Sequence, residues 1–166
     1  MRYFAYGSNM LAARLRQRGV SARAVGPAVL RGHRLVWTKR SVDGSGKCGV
    51  LSTTDLADAV WGLLYEIDDG ELSILDRTEG AGRGYLRETV TVQAGEQPVE
   101  AAAYIAIDVV EGLRPYDWYK RLVIAGAKKA GLPTSYIDWL NAVSSKQDPD
   151  EARRDAELRP LASGGD

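Results

Sequence analysis

The sequence predicts an α+β fold, a small mixed sheet curled into a β-barrel with flanking helices. Three observations predict it. Strand-like segments crowd residues 22–107, a single helical stretch interrupts them, and the last third repeats apolar residues at helical spacing. This order lacks the regular strand–helix alternation of a doubly wound fold. At 166 residues, with roughly 100–200 residues per domain, the chain is one domain or one domain with a tail.

Taken in order, Tyr3 to Tyr6 is aromatic and apolar and reads as a short buried strand. Gly7-Ser8-Asn9 follows, and Met10 to Arg16 reads as an amphipathic helix with Leu11 and Leu15 one turn apart, capped by Ser8 or Asn9. Ala28 to Thr38, Gly49 to Thr53 and Val60 to Ile67 are strands, with a loop at Asp43-Gly44-Ser45-Gly46. Val60 to Tyr65 is apolar on both faces, which places it centrally in the sheet. Asp69 to Thr78 is a helix with Leu72 and Leu75 inward, ending in the glycine-rich turn Glu79 to Gly84. Tyr85 to Val92 and Val99 to Ile107 form two strands joined at Gly95-Glu96-Gln97-Pro98. Tyr119, Leu122, Val123, Gly126, Ala127 and Ala130 then fall on one helical face, stopped by Gly131 and Pro133. A second helix starts at Thr134 or Ser135 with Tyr136, Ile137, Leu140 and Val143 inward. The domain organisation is therefore 1–145 as the folded unit and 146–166 as a polar tail, partly helical at most and ending in Ser163-Gly164-Gly165.

The scarce residues exclude several function classes. One cysteine, Cys48, excludes an internal disulfide framework and a thiolate zinc site. One histidine, His33, excludes a His-rich metal site and obliges any Ser-His or Cys-His pair to use that imidazole. Lys and Arg total 22 and so do Asp and Glu, so the net charge of zero argues against a general nucleic-acid binder. No apolar run is long enough for a spanning helix, and Met1 to Tyr6 does not read as a signal peptide, so the expected compartment is the cytoplasm, with no membrane partner.

Two constellations carry chemistry. Tyr6-Gly7-Ser8-Asn9 joins a strand to a helix start, where a glycine allows close backbone approach and free amides can hold a carboxylate or an oxyanion. A plain capped turn satisfies the same spacing. Glu79 ends a helix and precedes Gly80, Gly82 and Gly84, which suits a carboxylate presented to a cleft, although a solvated glutamate has the same signature. Asp76 reads as a helix-face charge pairing with Arg77 or Arg83. The tyrosines outnumber phenylalanine eight to one and offer walls for a small polar ligand. His33 reads as structural, Cys48 as a thiol of mildly lowered pKa without a catalytic role, and Arg14-Leu15-Arg16-Gln17-Arg18 as a solvated helix face.

Several blocks together resemble the γ-glutamylcyclotransferase, or AIG2-like, family. They are Tyr3-Phe4-Ala5-Tyr6-Gly7-Ser8-Asn9, Val60-Trp61-Gly62, Leu75-Asp76-Arg77-Thr78-Glu79-Gly80 with Gly84-Tyr85, Tyr119-Lys120-Arg121, Gly126-Ala127-Lys128 and Gly131-Leu132-Pro133. They occur in family order over residues 3 to 143. The resemblance implies Glu79 as the catalytic acid/base. It implies a substrate cradle at Tyr3, Phe4, Ala5, Tyr6, Gly7, Ser8 and Asn9, with pocket walls at Tyr85, Tyr104 and Tyr119. It implies release of 5-oxoproline from a small γ-glutamyl amide, no cofactor, no metal, and a homodimer. The leaving amine stays open between an amino acid, a lysine side chain and a secondary-metabolite intermediate. A non-catalytic small-molecule binder and an interaction module using the tail are the rival readings.

Overall fold

The computed structural model describes residues 1–162. In chain order it contains β1 (Arg2–Ala5), a 3-10 turn (Ser8–Met10), α1 (Ala12–Gln17), β2 (Ala22–Arg31), β3 (His33–Arg40), β4 (Gly46–Ser52) and β5 (Ala59–Ile67). These are followed by α2 (Asp69–Glu79), β6 (Tyr85–Ala94), β7 (Gln97–Ala106), α3 (Asp117–Lys129), α4 (Thr134–Ala142) and α5 (Glu151–Ala162).

Five strands close a barrel in the order β1-β5-β2-β6-β7. The seam between β1 and β7 is parallel, at Tyr3 and Ala102, and the other neighbours are antiparallel, so the barrel is mixed. β5 lies between β1 and β2, and residues on both of its faces are buried, Leu63, Leu64 and Tyr65 in succession. Gly62 permits the closure: a Cβ there would lie 2.4 Å from the Ala5 carbonyl oxygen and 2.7 Å from the Phe4 ring. β3 and β4 form a separate two-stranded ribbon. It is tied to the segment after β7 by Val110 N donating to Thr38 O at 2.7 Å.

α3 carries the predicted stripe, and Trp118, Tyr119, Leu122, Val123, Gly126 and Ala127 are buried. It packs against the 3-10 turn so closely that a Cβ on Gly126 would lie 2.7 Å from Met10 Cβ and 2.8 Å from Leu11 N. α2 stops at Gly80, whose φ of +64° suits glycine, and Ala81 N closes back on Asp76 O at 2.8 Å.

Three expectations change. Ser8 and Asn9 do not cap a helix starting at Met10. They form the 3-10 turn, α1 begins at Ala12 after an extended Leu11, and the Asn9 side chain is used elsewhere. The strand expected over Ala28 to Thr38 is two strands, broken at Gly32 with φ +66°. Within the expected tail, residues 151–162 form α5, which packs on α3 and α1. Its sequence shows no apolar stripe because its anchors are polar. Trp118 Nε1 and Arg153 Nε each donate to Asp148 Oδ2 at 2.8 Å, and Arg14 pairs with Glu157. Ser163-Gly164-Gly165 lies outside the described residues. Among the described residues no helix is long and apolar enough to cross a membrane.

Candidate active site

A cleft of about 1010 Å³ opens between the turn after β1, the C-terminal end of α2 and the β3–β4 ribbon. Glu79 is the last residue of α2, so the left-handed stop at Gly80 turns the chain away while its side chain stays at the cleft. Asn9 Nδ2 donates to Glu79 Oε1 at 2.9 Å and to Tyr3 Oη at 2.8 Å. Arg18 Nη1 donates to the same Glu79 Oε1 at 2.5 Å and to Asn9 Oδ1 at 2.7 Å. The Glu79 side chain is 14% exposed and that of Arg18 19%. Two donors converge on Oε1, and among the described residues no protein donor occupies Oε2.

The backbone at the turn is available to a ligand. Met10 N and Leu11 N close the 3-10 turn, while among the described residues the Gly7, Ser8 and Asn9 amides donate to no carbonyl. Gly7 is closely packed, since a Cβ there would lie 3.1 Å from Tyr119 Oη and 3.3 Å from Cys48 Cβ.

The tyrosines differ in what they offer. Tyr85 Oη donates to Cys48 O at 2.7 Å, Tyr104 Oη to Asp76 Oδ1 at 2.9 Å, and Tyr6 Oη to Tyr104 O. Tyr119 Oη accepts from Cys48 N at 3.1 Å, and Tyr3 Oη accepts from Asn9. Burial raises the pKa of all five above the ordinary phenol value, because a buried phenolate would lose its hydration. They are neutral walls and hydrogen-bonding groups, not bases.

Of the residues expected at the site, Tyr3, Tyr6, Gly7, Ser8, Asn9, Glu79, Tyr85, Tyr104 and Tyr119 all line the cleft. Phe4 and Ala5 do not. Both are fully buried in the barrel, where Phe4 packs against Gly62, so they support the cradle from behind. Asp76 pairs with Arg87 at 2.8 Å and Tyr104, rather than with Arg77 or Arg83. Cys48 lies within β4, and burial pushes its thiol up to about 12, the opposite of a lowered pKa.

The basic stretch is the main correction. Arg16 is exposed, but Arg14 is buried and Arg18 lines the cleft. For Arg18, burial works against the charge, and Glu79 together with Tyr3 and Tyr119 outweighs it, so its pKa stands above the ordinary value. For Arg14, burial dominates and lowers it, against Glu157. No spacing rule separates Arg18 from Arg16. Only the end of α1 between them turns one to water and the other to Glu79. Among the described residues no cluster of three or more His, Cys, Asp or Glu stands ready to hold a metal ion.

Residues 59–140 match the AIG2-like family. The chain is 32% identical over 146 residues to the γ-glutamylcyclotransferase of Bos taurus, spanning 85% of this chain and 77% of that one. It is 30% identical over 148 residues to that of Homo sapiens, with the same coverage. A solved γ-glutamyl cyclotransferase superposes with a TM-score of 0.84 at 27% identity, over 96% of this chain and 98% of that one. Relatives named γ-glutamylcyclotransferase at about 30% identity over most of the chain make this protein an enzyme of that class. The chain belongs to the γ-glutamylcyclotransferase family.

Proposed function

We propose that the protein releases 5-oxoproline and a free amine from a γ-glutamyl amide, with Glu79 as acid and base. The observation that carries this reading is the Glu79 carboxylate held on one oxygen by Asn9 and Arg18, beside the unpaired amides of the turn. The substrate brings its own nucleophile, the α-amino group of the γ-glutamyl unit. Glu79 takes a proton from that ammonium through Oε2, and the freed nitrogen attacks the γ-carbonyl to close a five-membered ring. That proton goes to the departing nitrogen as the amide C–N bond breaks, and the ring nitrogen gives up its second proton to Glu79 and on to the freed amine, which leaves as its ammonium. Oriented intramolecular reactions reach effective molarities of about 10⁵–10⁸ M, so holding the bent substrate is a large part of catalysis. The Gly7, Ser8 and Asn9 amides serve the α-carboxylate or the developing oxyanion. Tyr3, whose oxygen accepts from Asn9, keeps its own proton to donate to the substrate. For location and assembly the proposal, resting on the family resemblance, is a cytoplasmic homodimer.

The test is Glu79→Gln, checked for wild-type circular dichroism and assayed for 5-oxoproline release from γ-glutamyl-alanine. General acid–base work is worth roughly 10²–10⁴-fold, and kcat should fall by that much. Near-normal release would remove Glu79 from the mechanism.

A further inference from the structure

Most cations lining the cleft are engaged by the protein's own carboxylates. Arg18 pairs with Glu79, Arg14 with Glu157, Lys47 with Asp43 and Arg40 with Asp108. Lys39 differs. It lines the same cleft and is half-buried, and among the described residues no carboxylate lies within ion-pair distance of its ammonium.

The local backbone places this side chain. β3 slips register between Val36 and Lys39, and Lys39 then bridges to Val109. Gly84 leaves it room, because a Cβ there would lie 2.8 Å from Lys39 Cε and 2.9 Å from Nζ. That same Cβ would lie 3.7 Å from the Glu79 carbonyl oxygen, so the ammonium stands beside the segment that carries Glu79. Nζ also lies 5.0 Å from the centre of the Tyr85 ring. Burial lowers the Lys39 pKa, with the Glu79, Asp108 and Asp43 charges opposing it. A partly desolvated ammonium without a close counter-ion gains more than an exposed one from an anionic ligand.

We infer that Lys39 binds a carboxylate carried by the leaving amine, and so selects γ-glutamyl amides whose leaving group is an amino acid. This rests on the cyclotransferase reading above, in which the γ-glutamyl end sits on the turn after β1, whereas Lys39 reaches the cleft from β3. Lys39 is a specificity-determining residue and takes no part in the proton transfers.

The experiment compares γ-glutamyl-alanine with γ-glutamyl-ethylamide, which lacks only the leaving-group carboxylate, on wild type, Lys39→Met and Lys39→Arg. The readout is the ratio of kcat/KM between the two substrates. A hydrogen bond to a charged group is worth roughly 10- to 100-fold, so the ratio should fall by about that much in Lys39→Met and be largely regained in Lys39→Arg. An unchanged ratio in Lys39→Met, including an equal fall on both substrates, overturns the inference. If wild type turns over neither substrate, the cyclotransferase reading fails separately, and calorimetric Kd values decide the role of Lys39. Tighter binding of γ-glutamyl-alanine than of the ethylamide, lost in Lys39→Met, supports it, and equal Kd values overturn it.

Discussion

Glu79 works as part of a four-residue set. Asn9 touches Tyr3, Arg18 and Glu79 at once, and Arg18 bonds both Asn9 and Glu79, so no one of these side chains can rotate without breaking another's hydrogen bond. In the proposed mechanism Arg18 is a positioning residue, holding Oε1 and leaving Oε2 without a protein donor among the described residues. Replacing it by Met leaves Asn9 as the one side chain bonded to that oxygen. A misplacement of about 1 Å at a reacting group can cost about 10²-fold, so Arg18→Met should lower kcat by roughly that factor with a smaller change in KM. Arg18→Lys, which restores the charge but not the forked geometry, should recover only part of it. An Arg18→Met enzyme with wild-type kcat would mean that Asn9 alone positions the carboxylate. At this scale the acid/base role of Glu79 comes from the family resemblance, while its place at a helix end before a left-handed glycine is legible in the sequence because its signals are local. Arg18 is not, since its partner lies 61 residues away.

Among the elements, the decisive contact is that of α3 on the 3-10 turn. Gly126 lets the helix backbone come close enough to press Ser8, Asn9 and Met10 into a buried turn. Gly126→Ala forces a methyl group into Met10 and Leu11, and overpacking of this kind costs about 1–3 kcal/mol. The same displacement carries Asn9 away from Glu79. The expected outcome is a lower melting temperature together with loss of 5-oxoproline release greater than the loss of folded protein. Full activity at a reduced melting temperature would uncouple the two. α3 is legible from its 3.6-residue stripe, since one face meets one continuous core. α5 is not, because its polar anchors, Asp148 and Glu157, act alongside only a short apolar end, Leu158, Pro160 and Leu161.

Across the whole molecule, two carboxylates, the buried Asp148 and the half-buried Asp43, tie outlying parts to the core. Arg153, with help from Trp118, holds Asp148 well below the usual carboxylate range and so fixes α5. At the tip of the β3–β4 ribbon, burial pushes Asp43 up, but Lys47 and Ser45 outweigh it and hold it at about 2. A carboxylate whose folded pKa lies below its unfolded value stabilises the protein above that unfolded value, about 3.9. That contribution is lost as pH falls toward the folded value. Stability should therefore be level near neutrality and decline from about pH 4 toward pH 2. Tryptophan fluorescence should follow it, because Trp118 sits on Asp148 and beside Lys47. Asp148→Asn should lower stability at pH 7 and flatten the acid limb. An unchanged limb in that variant would remove Asp148 from the cause.

The sequence by itself determined the α+β class, the positions of most strands and helices, the glycine turn and the place of Glu79 at the end of α2. Each of these rests on local spacing, backbone preference or a contiguous block of residues. Only the tertiary structure decided that Phe4 and Ala5 support the site from within the barrel, and that Arg18 leaves the surface to meet Glu79. It also decided that Lys39 stands in the cleft without a carboxylate partner among the described residues and that residues 151–162 dock as a helix. These outcomes depend on barrel closure, on a register slip and on ion pairs between distant segments. The energies of such pairs appear only once the partners have been brought together out of water.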